Sequence, residues 1–210
     1  MNDKIQKLLE KAEAQTVSLS DAMSSVSCAE RIFASASDAS DNFTRFRRKL
    51  FHIEKWNAHS ALTSFALFDE TGKECARETA VVGDFVRVTL TGSGKSDWVK
   101  ITRIDDAPGE IILTLQPSIN PTEEDESEKN VTSHFFTSES SNNFCLQIKD
   151  AAINFYVIGL DEKTNTAETK NVLETVRNAA TANLGHYLGI QETEWKTFCE
   201  NFLETKAIEK

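Results

Sequence analysis

The chain has 210 residues, a formal net charge of −10 and 40% hydrophobic residues. That length supports one sizeable core without disulfide or metal staples, and thirteen Phe with three Trp exclude a chain disordered throughout. The acidity excludes nucleic acid as the main partner, because a phosphate-binding surface needs clustered Lys and Arg.

Residues 1–57 contain no Gly and no Pro and read as an N-terminal helical region. Ile5, Leu8, Leu9 and Ala12 fall on one side of a first amphipathic helix. Leu19, Met23, Val26, Ala29, Phe33, Ala36, Phe43, Phe46, Leu50 and Ile53 recur mostly at steps of three and four, which predicts a long helix with one apolar stripe. Ser18 or Ser20 is a candidate cap, and the weak helix formers of Ser35–Ser40 predict a break or kink.

From residue 58 the period shifts towards two, and residues 58–210 read as an α+β domain with its sheet over 60–158 and helices over 166–204. Strands are predicted around Phe65–Leu67, Phe85–Leu90, Trp98–Ile104, Ile111–Leu115, Ser133–Phe136, Phe144–Ile148 and Ile153–Ile158. Asp106-Ala107-Pro108-Gly109 reads as a turn, and the short connections favour antiparallel pairing. The segment 117–129 carries Pro117, Pro121 and five acidic residues between Glu123 and Glu128, and is expected to be an exposed, mobile loop. Asn165 with Glu168 fits a helix start, Gly189 a helix end, and Trp195, Phe198, Cys199, Phe202 and Leu203 mark a last helix. The expected architecture is therefore an antiparallel sheet of six or seven strands, able to close into a barrel, packed by C-terminal helices.

Few features carry chemistry. Thr89–Ser96 (TLTGSGKS) ends like a phosphate-binding loop, but Thr89 stands where the first glycine belongs and a strand follows where a helix is needed. It reads as a hairpin loop. His52, His59, His134 and His186 show no metal-ligand spacing, and His134 beside Ser133 and near Cys145 is the candidate for a spatially assembled catalytic group. The four cysteines, Cys28, Cys75, Cys145 and Cys199, lie far apart and are expected as reduced thiols. No cofactor and no metal site is expected. No run of apolar residues is long enough to span a membrane, and the charged opening MNDKIQKLLEKAEAQ is unlike a leader peptide, so a cytoplasmic location is expected. Trp56, Trp98 and Trp195 are expected as core anchors. Arg45, Arg47, Arg48 and Lys49 form a basic cluster interleaved with Phe43, Phe46, Leu50 and Phe51.

His134-Phe135-Phe136-Thr137, Asn143-Phe144, Val176-Arg177-Asn178-Ala179 and Glu194-Trp195-Lys196 resemble segments of a family of small bacterial proteins with no known activity. Gly83-Asp84-Phe85-Val86 and Asp97-Trp98-Val99 look similar to that group, and also to small SH3-like barrels. The resemblance spans residues 56–204 and implies no catalytic role. The order of predicted elements resembles START-like ligand carriers, in which a curved antiparallel sheet is closed by a C-terminal helix.

Three functions follow as expectations. The first is a non-enzymatic interaction or adaptor protein, a homo-oligomer or part of a larger assembly. Its contact surface would be Leu19, Met23, Val26, Phe33, Phe43 and Phe46 with Arg45, Arg47 and Arg48. The second is a binding module for a small apolar ligand held between the sheet and the 166–188 helix. The third is a hydrolase-like enzyme whose site is assembled in space around His134 or His186.

Overall fold

The computed structural model describes residues 3–17, 23–75, 77–90, 96–125, 132, 134, 136–163 and 184–205. Along the chain lie α1 (Lys4–Val17), β1 (Met23–Ile32), α2 (Ala36–Phe51), a short 3-10 turn (Ile53–Ala58), β2 (Thr63–Phe68), β3 (Phe85–Leu90), β4 (Ser96–Ala107), β5 (Glu110–Pro117), β6 (Ser141–Lys149), β7 (Ala152–Glu162) and α3 (Leu184–Phe202). The strands form one antiparallel sheet in the order β1-β7-β6-β5-β4-β3-β2. It is open, with β1 and β2 as its edges, and does not close into a barrel. The α+β class, the antiparallel sheet and its packing by a C-terminal helix agree with the sequence reading.

The main difference lies in residues 23–32. Their apolar steps of three and four predict a helix, yet they form edge strand β1. In a strand the alternation places Ser25, Ser27, Ala29 and Arg31 on one face and Val26, Cys28, Glu30 and Ile32 on the other. The small inward residues let α3 approach closely, with Cys199 Sγ lying 3.7 Å from the Ser27 carbonyl oxygen. Ser35–Ser40, where a break or kink inside a helix is expected, instead open α2, and Ser35 caps it by accepting a hydrogen bond from the Asp38 N–H at 3.1 Å. Gly189, expected to end a helix, lies inside α3. The expected helix start at Asn165 and most of the 166–188 helix fall outside the described residues. So does the tip of the glycine-rich hairpin, whose flanks pair as β3 and β4, as a hairpin requires. The β4–β5 turn needs its glycine, since Gly109 follows Pro108 with φ of +80°.

The sheet has two covered faces. On the inner face, α2, the 3-10 turn and α3 pack Phe46, Leu50, Trp56, Phe198, Phe202 and Leu203 against inward residues of all seven strands. On the outer face, α1 lays Ile5, Leu8, Leu9 and Ala12 over Ile112, Cys145, Tyr156, Ile158 and Leu160, so the predicted amphipathic helix forms as read. Salt bridges Lys4–Asp105 and Lys11–Asp161 (2.8 and 2.7 Å) tie α1 at both ends. All four cysteines are free thiols. Among the described residues no helix is long and apolar enough to cross a membrane.

Phe202 is fully buried and stacks on Phe155 with ring centroids 4.0 Å apart. Phe202→Ala is expected to lower stability by about 3–5 kcal/mol, whereas Val26→Ala, at a 44% exposed position, should stay within about 0.5 kcal/mol. Urea denaturation of the two variants checks both, and equal losses would contradict this placement of the core.

Candidate functional site

The inner face is not uniformly apolar. Strand β7 sends Ile153, Phe155 and Val157 inward and Ile158 and Leu160 outward. The next inward position after Val157 is Gly159, which pairs with Ser25 on β1 and Asn142 on β6. Residues directly opposite in an antiparallel pair share a face, so Ser25, Gly159 and Asn142 form a row across three strands. A Cβ on Gly159 would run into both Ser25 Oγ and the Glu162 carboxyl, which places that carboxyl directly over the glycine.

A bulge delivers Glu162 to this position. Between Met23 and Ser25 the register shifts, and β7 uses three residues where β1 uses two. The extra residue is Asp161, whose φ of +54° is unusual for a side chain other than glycine. Its carboxyl faces α1, where Lys11 Nζ and Gln15 Nε2 both donate to it. The backbone N–H of Asp161 donates to Gln15 Oε1 at 3.1 Å. With Asp161 turned outward beside Leu160, Glu162 turns inward.

Glu162 is only 3% exposed. Burial pushes its pKa up to about 7 from 4.5, and a hydrogen bond from Ser25 offsets part of that rise. Among the described residues, buried Glu162 Oε1 and Asn142 Oδ1 have no hydrogen-bond partner, and neither does the indole Nε1–H of Trp195 on α3. Trp195 packs against Phe144, two residues beyond Asn142 on the same face, at 5.4 Å between ring centroids. Phe144 in turn lies 4.5 Å from Trp56. The inner face thus carries two acceptors, on β6 and β7, and one donor, on α3, without partners among the described residues.

α3 is held over this face at two places. Glu194 Oε1 accepts from Ser60 Oγ and from the N–H groups of Ala61 and Leu62 at 3.1 Å each. At the helix end Glu204 binds Arg45, Lys49 and Arg31, and the hydrogen bond from Arg45 with the charges of Lys49 and Arg45 holds its carboxyl down to about 2 from 4.5. Lys49 and Arg31 also donate to the carbonyls of Phe202 and Leu203, satisfying the helix's last acceptors. Beneath this hub His59 faces the rings of Phe198 and Phe202, and burial together with Lys49 lowers its pKa to about 4.

The residues singled out in the sequence are dispersed. Met23 and Val26 are exposed on β1, Phe33 and Phe43 are half-buried against the inner core, and Phe46 is fully buried. Arg45 belongs to the Glu204 hub, Arg47 pairs with Asp106, Arg48 is exposed, and Leu19 lies outside the described residues. His134 is buried: its Nδ1 accepts from the Phe136 N–H at 2.9 Å, and its Nε2 lies 3.9 Å from Asp97. Burial keeps its pKa below the usual value. Cys145 lies beneath α1, where burial pushes its thiol pKa up. The side chain of His186 is outside the described residues. Among the described residues no three His, Cys, Asp or Glu side chains converge to hold a metal ion. Sequence reasoning missed Ser25, Asn142, Gly159 and Glu162. A glycine inside an otherwise apolar strand, followed closely by an acid, was the available signal.

No protein-family model matches the chain, and no curated protein matches it in sequence. Several solved structures resemble the chain at TM-scores below 0.5. A hypothetical protein from Helicobacter pylori, jhp0584, is 8% identical over 93% of this chain and 94% of its own, with a TM-score of 0.48. A norcoclaurine synthase point mutant from Thalictrum, in complex with a transition state analogue, is 12% identical over 90% and 100%, with a TM-score of 0.39. The extracellular domain of PknH from Mycobacterium tuberculosis is 10% identical over 73% of this chain, with a TM-score of 0.35, and the chain spans about half of that domain's length (54%).

The buried carboxyl makes a prediction about stability. Below pH 4.5 Glu162 is protonated whether the chain is folded or not; between there and about pH 7 only the folded protein keeps the proton. Above that the folded protein bears a buried charge, so stability falls as pH rises through this window, by about 3 kcal/mol in total. Glu162→Gln should therefore raise the melting temperature near pH 8 and leave it unchanged near pH 4. Thermal unfolding at the two pH values checks this; a variant destabilised at both would show the carboxyl to be satisfied.

Proposed function

We propose that the protein binds a small, mainly apolar ligand between the inner face of its sheet and α3, beside the Ser25–Gly159–Asn142 row. The observation that carries this reading is that three of the buried polar atoms without partners among the described residues belong to inner-face residues: Glu162 Oε1, Asn142 Oδ1 and Trp195 Nε1. Native proteins pair nearly all such groups, and each one left bare costs about 1–3 kcal/mol. Three on one covered face, next to Phe144 and Trp195, are the lining of an apolar site with a few converging polar groups. The aromatic packing under the last turns of α3 is dense, from Phe155 and Phe202 to Phe198, so the ligand's place is the polar end of the face.

A neutral aromatic probe tests this. 2-Naphthol is expected to bind at one site with micromolar affinity, followed by its fluorescence, and to shift the indole N–H signal of Trp195 in a nitrogen-15 correlation spectrum. Signals of Trp98, on the far side of the sheet, should stay in place. Absence of any shift at Trp195 with saturating probe would end this reading.

A second reading has its own observation. β1 is an edge strand whose outer side exposes Val26 and Ile32 (44% and 73%), with Met23 38% exposed at its start. Such an edge is a template for pairing with another strand, which supports self-association through β1. Light scattering should then give a concentration-dependent dimer that Val26→Lys dissolves. A monomer at every concentration removes this reading.

A further inference from the structure

Resting on the reading of this face as a ligand site, we propose that its ligand is an amine: an apolar molecule whose ammonium group sits between Glu162 and Asn142. The two bare acceptors flank Gly159, one lying over it and the other in the cross-strand position beside it. Ser25 donates to the carboxylate, and among the described residues no Lys, Arg or His lies within ion-pair distance of it. A buried carboxylate without a counter-ion is the costliest kind of unpaired group.

The chemistry of the two acceptors selects the ligand group. An ammonium carries three donors and a positive charge, so it satisfies Glu162 Oε1 and Asn142 Oδ1 together and neutralises the buried charge. A hydroxyl offers one donor and leaves one acceptor bare. A carboxylate or phosphate would set like charge against Glu162. The body of the ligand is selected by what adjoins these acceptors. Phe144 follows Asn142 on the same face and packs against Trp195 and Trp56, so the group carrying the amine is apolar. Gly159 matters here because any side chain would displace the carboxyl that the amine needs.

Three probes of one shape separate the possibilities: 2-phenylethylamine, 2-phenylethanol and 3-phenylpropionate, titrated calorimetrically into wild-type protein near pH 8 and followed at the Trp195 indole signal. The amine is expected to bind at least about tenfold more tightly than the alcohol, the margin of a hydrogen bond to a charged group, and the carboxylate not to bind. Glu162→Gln, which removes a buried charge and should fold, is expected to bring the amine down to the level of the alcohol. Equal affinity for amine and alcohol, or an amine affinity unchanged in Glu162→Gln, overturns the proposal. If the alcohol or 2-naphthol still moves the Trp195 signal in that case, the apolar site stands without its preference for amines. If no probe moves it, both readings fall.

Discussion

The seating of α3 on the sheet is the constraint on which the rest depends. An antiparallel sheet with two apolar faces needs both covered. The inner face is covered largely by rings: Phe198 and Phe202 from α3 meet Phe155, Phe144, Trp56 and Phe65. Rings bring area but little directional precision, and the hub at Glu204 supplies it. Three cations from β1 and α2 converge on one carboxylate and on the last carbonyls of the helix. The arginine pairs are partly exposed and individually weak, but all three cations share one acceptor and fix one end of α3. Glu194 then fixes the helix along its length through three donors of the segment leading into β2.

Once α3 is fixed, its relation to β7 sets where the interior is full and where it is polar. Phe202 lies over Phe155, and Cys199 reaches the Ser27 carbonyl opposite Val157. Proceeding along β7, the strand's next inward residue is a glycine rather than another large side chain. Burial of apolar area holds the helix down, while the same face also holds a carboxyl, an amide and an indole that each keep one polar atom without a partner among the described residues. Stability and binding are therefore served by different rows of one sheet.

The α+β class, the antiparallel strands and the amphipathic α1 were legible because they rest on period and turn chemistry, which are local. Ile5 and Ala12 announced a buried stripe and Pro108-Gly109 announced a turn, and both read correctly. Strand β1 was not legible, for a physical reason. Its inward face is Ser25, Ser27 and Ala29, small residues chosen for contact with α3, so the strand lacks apolar alternation. Met23, Val26 and Ala29 then mimic a helical step. The site was less legible still. Glu162 reaches the interior only because one residue bulges, and a one-residue register shift inverts which face a side chain occupies. Counting alternation from Val157 through Gly159 and Asp161 places Glu162 outside, and only the positive φ of Asp161 reverses that.

This bulge links the two sides of the sheet. Asp161 is held in its unusual conformation from the outer face, by the Gln15 side chain on its N–H and its carboxyl and by Lys11 on the carboxyl. Non-glycine residues adopt that conformation only where their surroundings over-determine it. The surroundings here are the last turns of α1. The helix that covers the outer face therefore also fixes the backbone turn that aims Glu162 at the inner one. A local contact in α1 and a buried carboxyl on the opposite face are separated by a single peptide unit of β7. No long pathway through the core is needed to connect them, since the bulge is a discrete arrangement that both sides touch.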